Sequence, residues 1–202
     1  MTTWYTSDTH FNRTNIIKYC DRPFSNVNEM NEKMIYNWNQ CVKPDDIVYH
    51  LGDFGLFKRG RKPEDTLSRL NGTIHLIRGN HDHKETREAF RKAGFKELLY
   101  DNTVLTRIDY ALMVHKPQNA PACKTWGDRT LLLYGHVHEK APKGLHWVEF
   151  PDGKRMFAYH VGVDTNDFKP VNEETIDNAV RDYIFATPAS LEVFKVGLPE
   201  KF

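Results

Sequence analysis

Short apolar runs alternate with amphipathic segments along the chain, and the period of the apolar positions separates strands from helices. Val27, Met30, Met34, Ile35 and Trp38 recur at three- and four-residue spacing and predict a helix over 26–38, with Asn26 or Asn28 able to cap its start. A strand over 4–7 breaks at Asp8, and one over 47–51 runs directly into Gly52-Asp53. Pro63 suits the first turn of a short helix over about 64–70. The strand Thr73–Ile77 precedes Gly79-Asn80-His81-Asp82, and a helix over 84–93 closes on Gly94, the residue type that accepts a left-handed cap. In the second half, strands over 103–108 and 110–115 flank Asp109, and an apolar strand over 131–134 ends at Gly135-His136. Strands over 147–150 and 155–161 flank Pro151-Asp152-Gly153-Lys154, a hairpin signal. A last helix over Glu173–Phe185 and an extended tail from Pro188 complete the pattern. This alternation reads as α/β. No repeat or linker divides it, so residues 1–202 are expected to form one domain.

Polar residues of the kind that bind metals stand just beyond several of these strands: Asp8 and His10, Asp53, Asn80 and His81, His115, then His136 and His138. In open α/β sheets the crevice at the carboxyl ends of the strands is where ligands bind, so these segments can converge on one site. Ten histidines are the unusual entry in a chain of 202 residues with 28 Lys+Arg against 27 Asp+Glu. The net charge of +1 argues against a binder of polyanions that works by bulk charge. No apolar run approaches the length of a membrane span, and no secretory signal is visible at the start, so a cytoplasmic protein is expected. Cys20, Cys41 and Cys123 contain no Cys-x-x-Cys pair and are expected to be reduced thiols.

Taken singly, Asp8-x-His10 and Gly52-Asp53 are ordinary turn chemistry, whereas Gly79-Asn80-His81-Asp82 offers an oxygen ligand, a proton donor and a carboxylate on one tight turn, and Gly135-His136-x-His138 two imidazoles suited to a shared metal centre. In order, Asp8-x-His10, Gly52-Asp53, Gly79-Asn80-His81-Asp82, His115 and Gly135-His136-x-His138 resemble the calcineurin-like metallophosphoesterase superfamily. Arg22-Pro23-Phe24, Trp38-Asn39 and Val161-Gly162-Val163-Asp164 are similar to its small microbial or phage-type members. The resemblance implies a four-layer α/β/β/α sandwich, two mixed sheets with helices outside. It implies two divalent ions, one held by Asp8, His10 and His138, the other by Asn80, His115 and His136, with Asp53 bridging. Such oxygen and nitrogen ligands suit Mn²⁺, Fe, Zn²⁺ or Ni²⁺, and Mn²⁺ is the expected occupant. The implied reaction is hydrolysis of a phosphate ester by a metal-bound hydroxide. His81 would protonate the leaving oxygen or stabilise charge, and Asp82 would hold its ring. The expected substrate is a phosphodiester or nucleotide, single-stranded nucleic acid included. The competing readings are a phosphoprotein phosphatase and a non-catalytic protein-binding scaffold of the same fold.

Departures from the family pattern fall on the substrate side: Asn12-Arg13 stands where Gly-His is common, His160 where Asn is, and Glu139 where a small residue is. Lys58-Arg59-Gly60-Arg61-Lys62, five residues past Asp53, is either a solvated loop or a cationic rim that attracts phosphate. Arg13, Lys116, Lys140 and Lys143 would assist such a rim. Phe54, Phe57 and Trp126 could stack on a base, although Phe54 suits core packing. His83 is a helix-start residue or a substrate contact. His50 and His75 are expected in the core or behind the site, and His146 in a loop. His160 is open between strand packing and a role near the site.

Overall fold

A computed structural model of the chain describes residues 1–57, 60–95, 97–98, 101–103, 110–120, 130–185 and 191–197. In chain order the strands are β1 (Thr3–Thr6), β2 (Ile47–His50), β3 (Thr73–Ile77), β4 (Glu97–Leu98), β5 (Asp101–Thr103), β6 (Tyr110–Met113), β7 (Thr130–Tyr134), β8 (Leu145–Glu149), β9 (Arg155–His160), β10 (Val171–Asn172) and β11 (Val193–Lys195). The α-helices are α1 (Thr14–Tyr19), α2 (Val27–Cys41), α3 (Pro63–Leu67), α4 (Lys84–Lys92) and α5 (Glu173–Phe185). They form two mixed sheets flanked by helices, one in the order β10-β1-β2-β3-β4, the other β11-β8-β9-β7-β6-β5. In the first, β1 to β4 are parallel and β10 is antiparallel to β1.

Strand alternation sorts the core into layers. On β3, Ile74 and Leu76 face the helices with Met30, Met34, Trp38 and Phe90, while Ile77 faces the other sheet. On β7, Leu131 and Leu133 meet Tyr5, Met113 and Ile77 between the sheets, and Leu132 and Tyr134 pack on the outer face against Val148 and Ala158. Helix α5 sends Ile176 into the layer between the sheets. Among the described residues, no helix is long and apolar enough to cross a membrane.

Helix α2 extends one turn past the expected end, and Asn26 caps it by accepting the N–H groups of Asn28 and Glu29 at 3.0 Å each. Asp-Gly at 152–153 joins β8 to β9 in antiparallel register, as the turn signal predicts. Helix α3 is shorter than expected. The six-residue α1 escapes a periodicity argument, because only Ile16 of its residues is buried. Of the predicted strand 103–108, Thr103 pairs with Ala111 and the rest lies outside the described residues, as do Cys123, Trp126 and the first residues of the tail. Cys20 and Cys41 are free thiols.

Candidate functional site

The first ligand-type residues follow β1. Asp8 and His10 both take left-handed backbone (φ 58 and 49), as do Asp53 after β2 and His136 and His138 after β7. Asp and His tolerate this region better than most residues, but five such positions in one site cost strain that the surroundings must hold. Backbone bonds splice the turns together: Asp8 N donates to Gly52 O and His10 N to Asp53 O, each at 3.0 Å.

Two groups of ligand atoms result, each within 4.8 Å of one another: Asp8, His10 and His138, and Asp53, His115 and His136. In the first, Asp8 Oδ2 accepts from Ser7 Oγ at 2.5 Å and from His136 N at 2.8 Å. Asp8 Oδ1 and His10 Nε2 are buried without a hydrogen-bond partner. Leaving such atoms unpaired costs about 1–3 kcal/mol each, so two of them aimed at one point fit a cation there. The His10 and His138 rings stack at 5.2 Å, with His138 Nε2 4.0 Å from Asp8 Oδ1.

In the second group, His115 Nδ1 donates to Leu51 O at 2.7 Å, which turns Nε2 toward Asn80 Oδ1 at 3.1 Å and Asp53 Oδ2 at 3.4 Å. That is the orientation in which a neutral imidazole offers a lone pair to a metal. His136 meets His115 edge-on at 5.1 Å. Asp53 Oδ2 also lies 3.6 Å from His10 Nε2, so one carboxylate oxygen sits between the two groups. All seven expected ligands are therefore brought together.

Without metal, imidazolium charges balance the carboxylates. Burial alone would raise Asp8 and Asp53, but His138 acting on Asp8, and His115 and His10 acting on Asp53, hold both below the usual carboxylate range. Burial would lower His138, yet its bonds to Asp164 and Cys20 and the charge of Asp8 raise it to about 11. His115 likewise rises to about 9 against burial, through Asp53. Burial, then the charges of His115 and Lys116, lower His136 to about 4. A site that gathers anionic oxygens and must borrow protons to neutralise them is suited to divalent cations. The nitrogen and oxygen donors fit Mn²⁺, Fe, Zn²⁺ or Ni²⁺.

His81 is half-buried, edge-on to His10 at 5.6 Å, and its main-chain N–H donates to Asp53 Oδ1 at 2.8 Å. Burial lowers its pKa, opposed by Asp53 and helped by Arg13. Asp82 does not hold the His81 ring. Its two oxygens accept the N–H groups of Asp53 (2.8 Å), Phe54 (2.9 Å) and Gly79 (2.8 Å), clamping the β2 turn to the β3 turn. The tight turn aims the carboxylate backward into the fold, where burial and then Asp53 push it up to about 6. Gly79 has to be glycine, because a Cβ there would strike the Asp53 carboxylate.

A cleft of about 750 Å³ opens beside His10 and His81, lined also by Asn12, Arg13, Arg61 and His83. Arg13 Nη1 lies 3.4 Å from His10 Nδ1, and Arg61 Nη1 donates to Asn12 Oδ1 at 3.1 Å. Asn12 is itself held by Asn31 at 2.8 Å. Of the expected rim, Lys58 and Arg59 lie outside the described residues, and Lys116, Lys140 and Lys143 are not part of the lining. His83 precedes α4 without a capping bond from its side chain. Phe54 is buried against Phe11, Phe57 and Phe90 and is not available to a base.

The remaining histidines are structural or stand behind the site. His50 is buried, accepting Gly52 N–H at its Nδ1 and facing Thr9 Oγ1 at 2.9 Å. His75 is half-buried beside Tyr49. His146 is not in a loop: it lies on β8, buried, bonded to Tyr134 Oη at 2.7 Å, because strand β8 starts two residues earlier than its apolar run suggests. His160 ends β9, bonded to Thr165 Oγ1 at 2.8 Å, with its Nε2 buried and unpaired. Sequence reasoning missed functions for Arg22 and Asp164, which bond each other 142 positions apart and contact the first ligand group. Their only signal was membership of the two flanking motifs.

A model of the calcineurin-like phosphoesterase family matches residues 1–175. An uncharacterized protein of Methanocaldococcus jannaschii is 39% identical over 173 residues, spanning 84% of this chain and 86% of that protein. A crystal structure of a protein of unknown function from Aquifex aeolicus superposes with a TM-score of 0.65 at 27% identity, covering 88% of this chain and 98% of that one.

Proposed function

Since the chain belongs to the calcineurin-like phosphoesterase family, we propose that it hydrolyses a phosphate ester with two divalent cations, Mn²⁺ foremost. Asp8, His10 and His138 would hold the first, and Asn80, His115 and His136 the second. Asp53 would join them. The observation that carries this reading is Asp53 Oδ2, 3.6 Å from His10 Nε2 and 3.4 Å from His115 Nε2.

When bound, such a pair of cations supplies Lewis acidity toward the phosphoryl group and lowers the pKa of water. The chain's own groups do the rest. His81, on the cleft side of His10, donates a hydrogen bond or proton to the leaving oxygen. Arg13 and Arg61 face the cleft, and neither pairs with a carboxylate among the described residues. Guanidinium forks of this kind match phosphate oxygens. A phosphodiester or nucleotide, with anionic or polar groups beyond the scissile phosphate, uses them best, and His83 at the far lining offers a further polar contact.

The test is Mn²⁺-loaded protein assayed on an aryl phosphodiester, an aryl phosphomonoester, cyclic nucleotides and phosphopeptides. Turnover of the diester, falling about 10²–10⁴-fold in His81→Ala with both ions retained, is the expected result. Two bound ions with no turnover on any phosphoester would contradict it in favour of a protein-binding scaffold. Preference for phosphopeptides would favour a protein phosphatase.

A further inference from the structure

Asp8, His10 and His138 all sit in left-handed backbone, so something must hold their turns against relaxation. Arg22 lies behind them with its side chain fully buried. Nη2 donates to Asp8 O at 2.7 Å and Nη1 to Thr9 O at 3.1 Å, gripping the main chain from which Asp8 and His10 project. On its other edge, Nε and Nη2 donate to the two oxygens of Asp164 at 2.7 and 2.9 Å. Asp164 Oδ2 then accepts from His138 Nδ1 at 2.8 Å. We propose that Arg22 and Asp164 are positioning residues for the first ion, one guanidinium registering the Asp8–His10 turn against the ring of His138. The inference rests on the two-ion reading above.

The chemistry is specific to these groups. With Nδ1–H committed to Asp164, His138 presents Nε2 toward Asp8 Oδ1, the ligand tautomer. Cys20 lies within 4.8 Å of the ligand atoms of His138 and Asp164. A lysine could not replace Arg22, since the grip uses three nitrogens of a planar fork at once. Asparagine could not replace Asp164 either. Its amide NH₂ would face the Arg22 donor at one oxygen position, or His138 Nδ1 and the same guanidinium at the other. The second group is braced by Asp82 and Leu51 O instead, with no part in this relay.

The experiment is calorimetric titration of chelator-stripped protein with Mn²⁺, for wild type, Asp164→Asn and Arg22→Lys. Wild type should take two ions. The first ion's Kd should weaken about 10–100-fold in Asp164→Asn, and less in Arg22→Lys, while the second ion's Kd stays unchanged. Adding His136→Ala to Asp164→Asn should then remove the surviving tight ion, which identifies it as the second. Should Asp164→Asn not fold by circular dichroism, Arg22→Met with Asp164→Leu replaces the buried pair by apolar groups, and the same selective loss is expected. Unchanged Kd values for both ions, or equal weakening of both, overturn the inference while leaving the two-ion reading standing. A wild type that binds fewer than two ions overturns that reading and this inference together.

Discussion

The two ligand groups are braced by different means. Behind Asp8, His10 and His138 stands a buried ion pair, Arg22 with Asp164, reaching across from distant parts of the chain. Behind Asp53 and His115 stand single acceptors: the Asp82 carboxylate takes three N–H groups of the β2 and β3 turns, and Leu51 O accepts His115 Nδ1–H. One group is held by a relay of two opposite charges, the other by a lone carboxylate and a main-chain carbonyl. Arg22 and Asp164 tie the Asp8–Thr9 main chain to the His138 ring, whereas Asp82 ties the β2 turn to the β3 turn. Asp53 touches both, so it tests the comparison hardest.

Asp53→Asn removes the shared anionic oxygen and should cost both ions, with phosphoesterase turnover down roughly 10³-fold or more; metal analysis after gel filtration reads the first effect and steady-state kinetics the second. A variant that keeps one ion at wild-type affinity would show that the groups are independent. Asp82→Ala leaves the N–H groups of Asp53, Phe54 and Gly79 without their acceptor and should lower stability by about 3 kcal/mol in denaturant melts, even with chelator present. An unchanged midpoint would remove the idea that this brace is part of the fold.

The asymmetry also explains what the amino-acid order revealed. The candidate ligands were legible because they follow strands whose apolar character is plain: Ile74, Leu76 and Ile77 before Asn80, and Leu131 to Tyr134 before His136. Helix α2 and its Asn26 cap were legible from spacing and one side chain. Asp82 was misread because adjacency to His81 suggests a partner for its ring, while the turn sends the carboxylate the other way. His146 was misread because its strand begins with a single leucine after glycine, too little alternation to extend the element. The Arg22–Asp164 pair was invisible because nothing local ties residues 142 apart. How the connection between α1 and α2 packs against the turn after β9 decides it, and that is a property of the assembled core.

Smaller effects sharpen the contrast. Gly79→Ala drives a Cβ into the Asp53 carboxylate and should weaken both ions, whereas Gly135→Ala drives one into Ser7 Oγ and Asp8 Oδ2 and should weaken the first alone. Overpacking of this kind costs about 1–3 kcal/mol, read as a shift in Mn²⁺ affinity by the same titration. Equal effects from both substitutions would erase the distinction. A pH-dependent effect belongs to His50, which links Thr9 of the first turn to Gly52 of the second. Burial lowers its pKa to about 3. Below pH 6.5 the unfolded chain therefore takes up a proton that the folded chain refuses, and stability falls as pH drops from 6.5 toward 3. The loss is at most about 1.4 kcal/mol per pH unit. Chelator-treated His50→Gln should show a shallower slope of melting temperature over that window, and an unchanged slope would place the proton elsewhere.

The central claim is that one carboxylate joins two differently braced ions. Electron paramagnetic resonance of the protein titrated with Mn²⁺ tests it most directly. Two equivalents should give the multiline spectrum of an exchange-coupled pair, and Asp53→Asn should abolish it. A single ion per chain, or two ions with the spectrum of isolated Mn²⁺, would contradict the account.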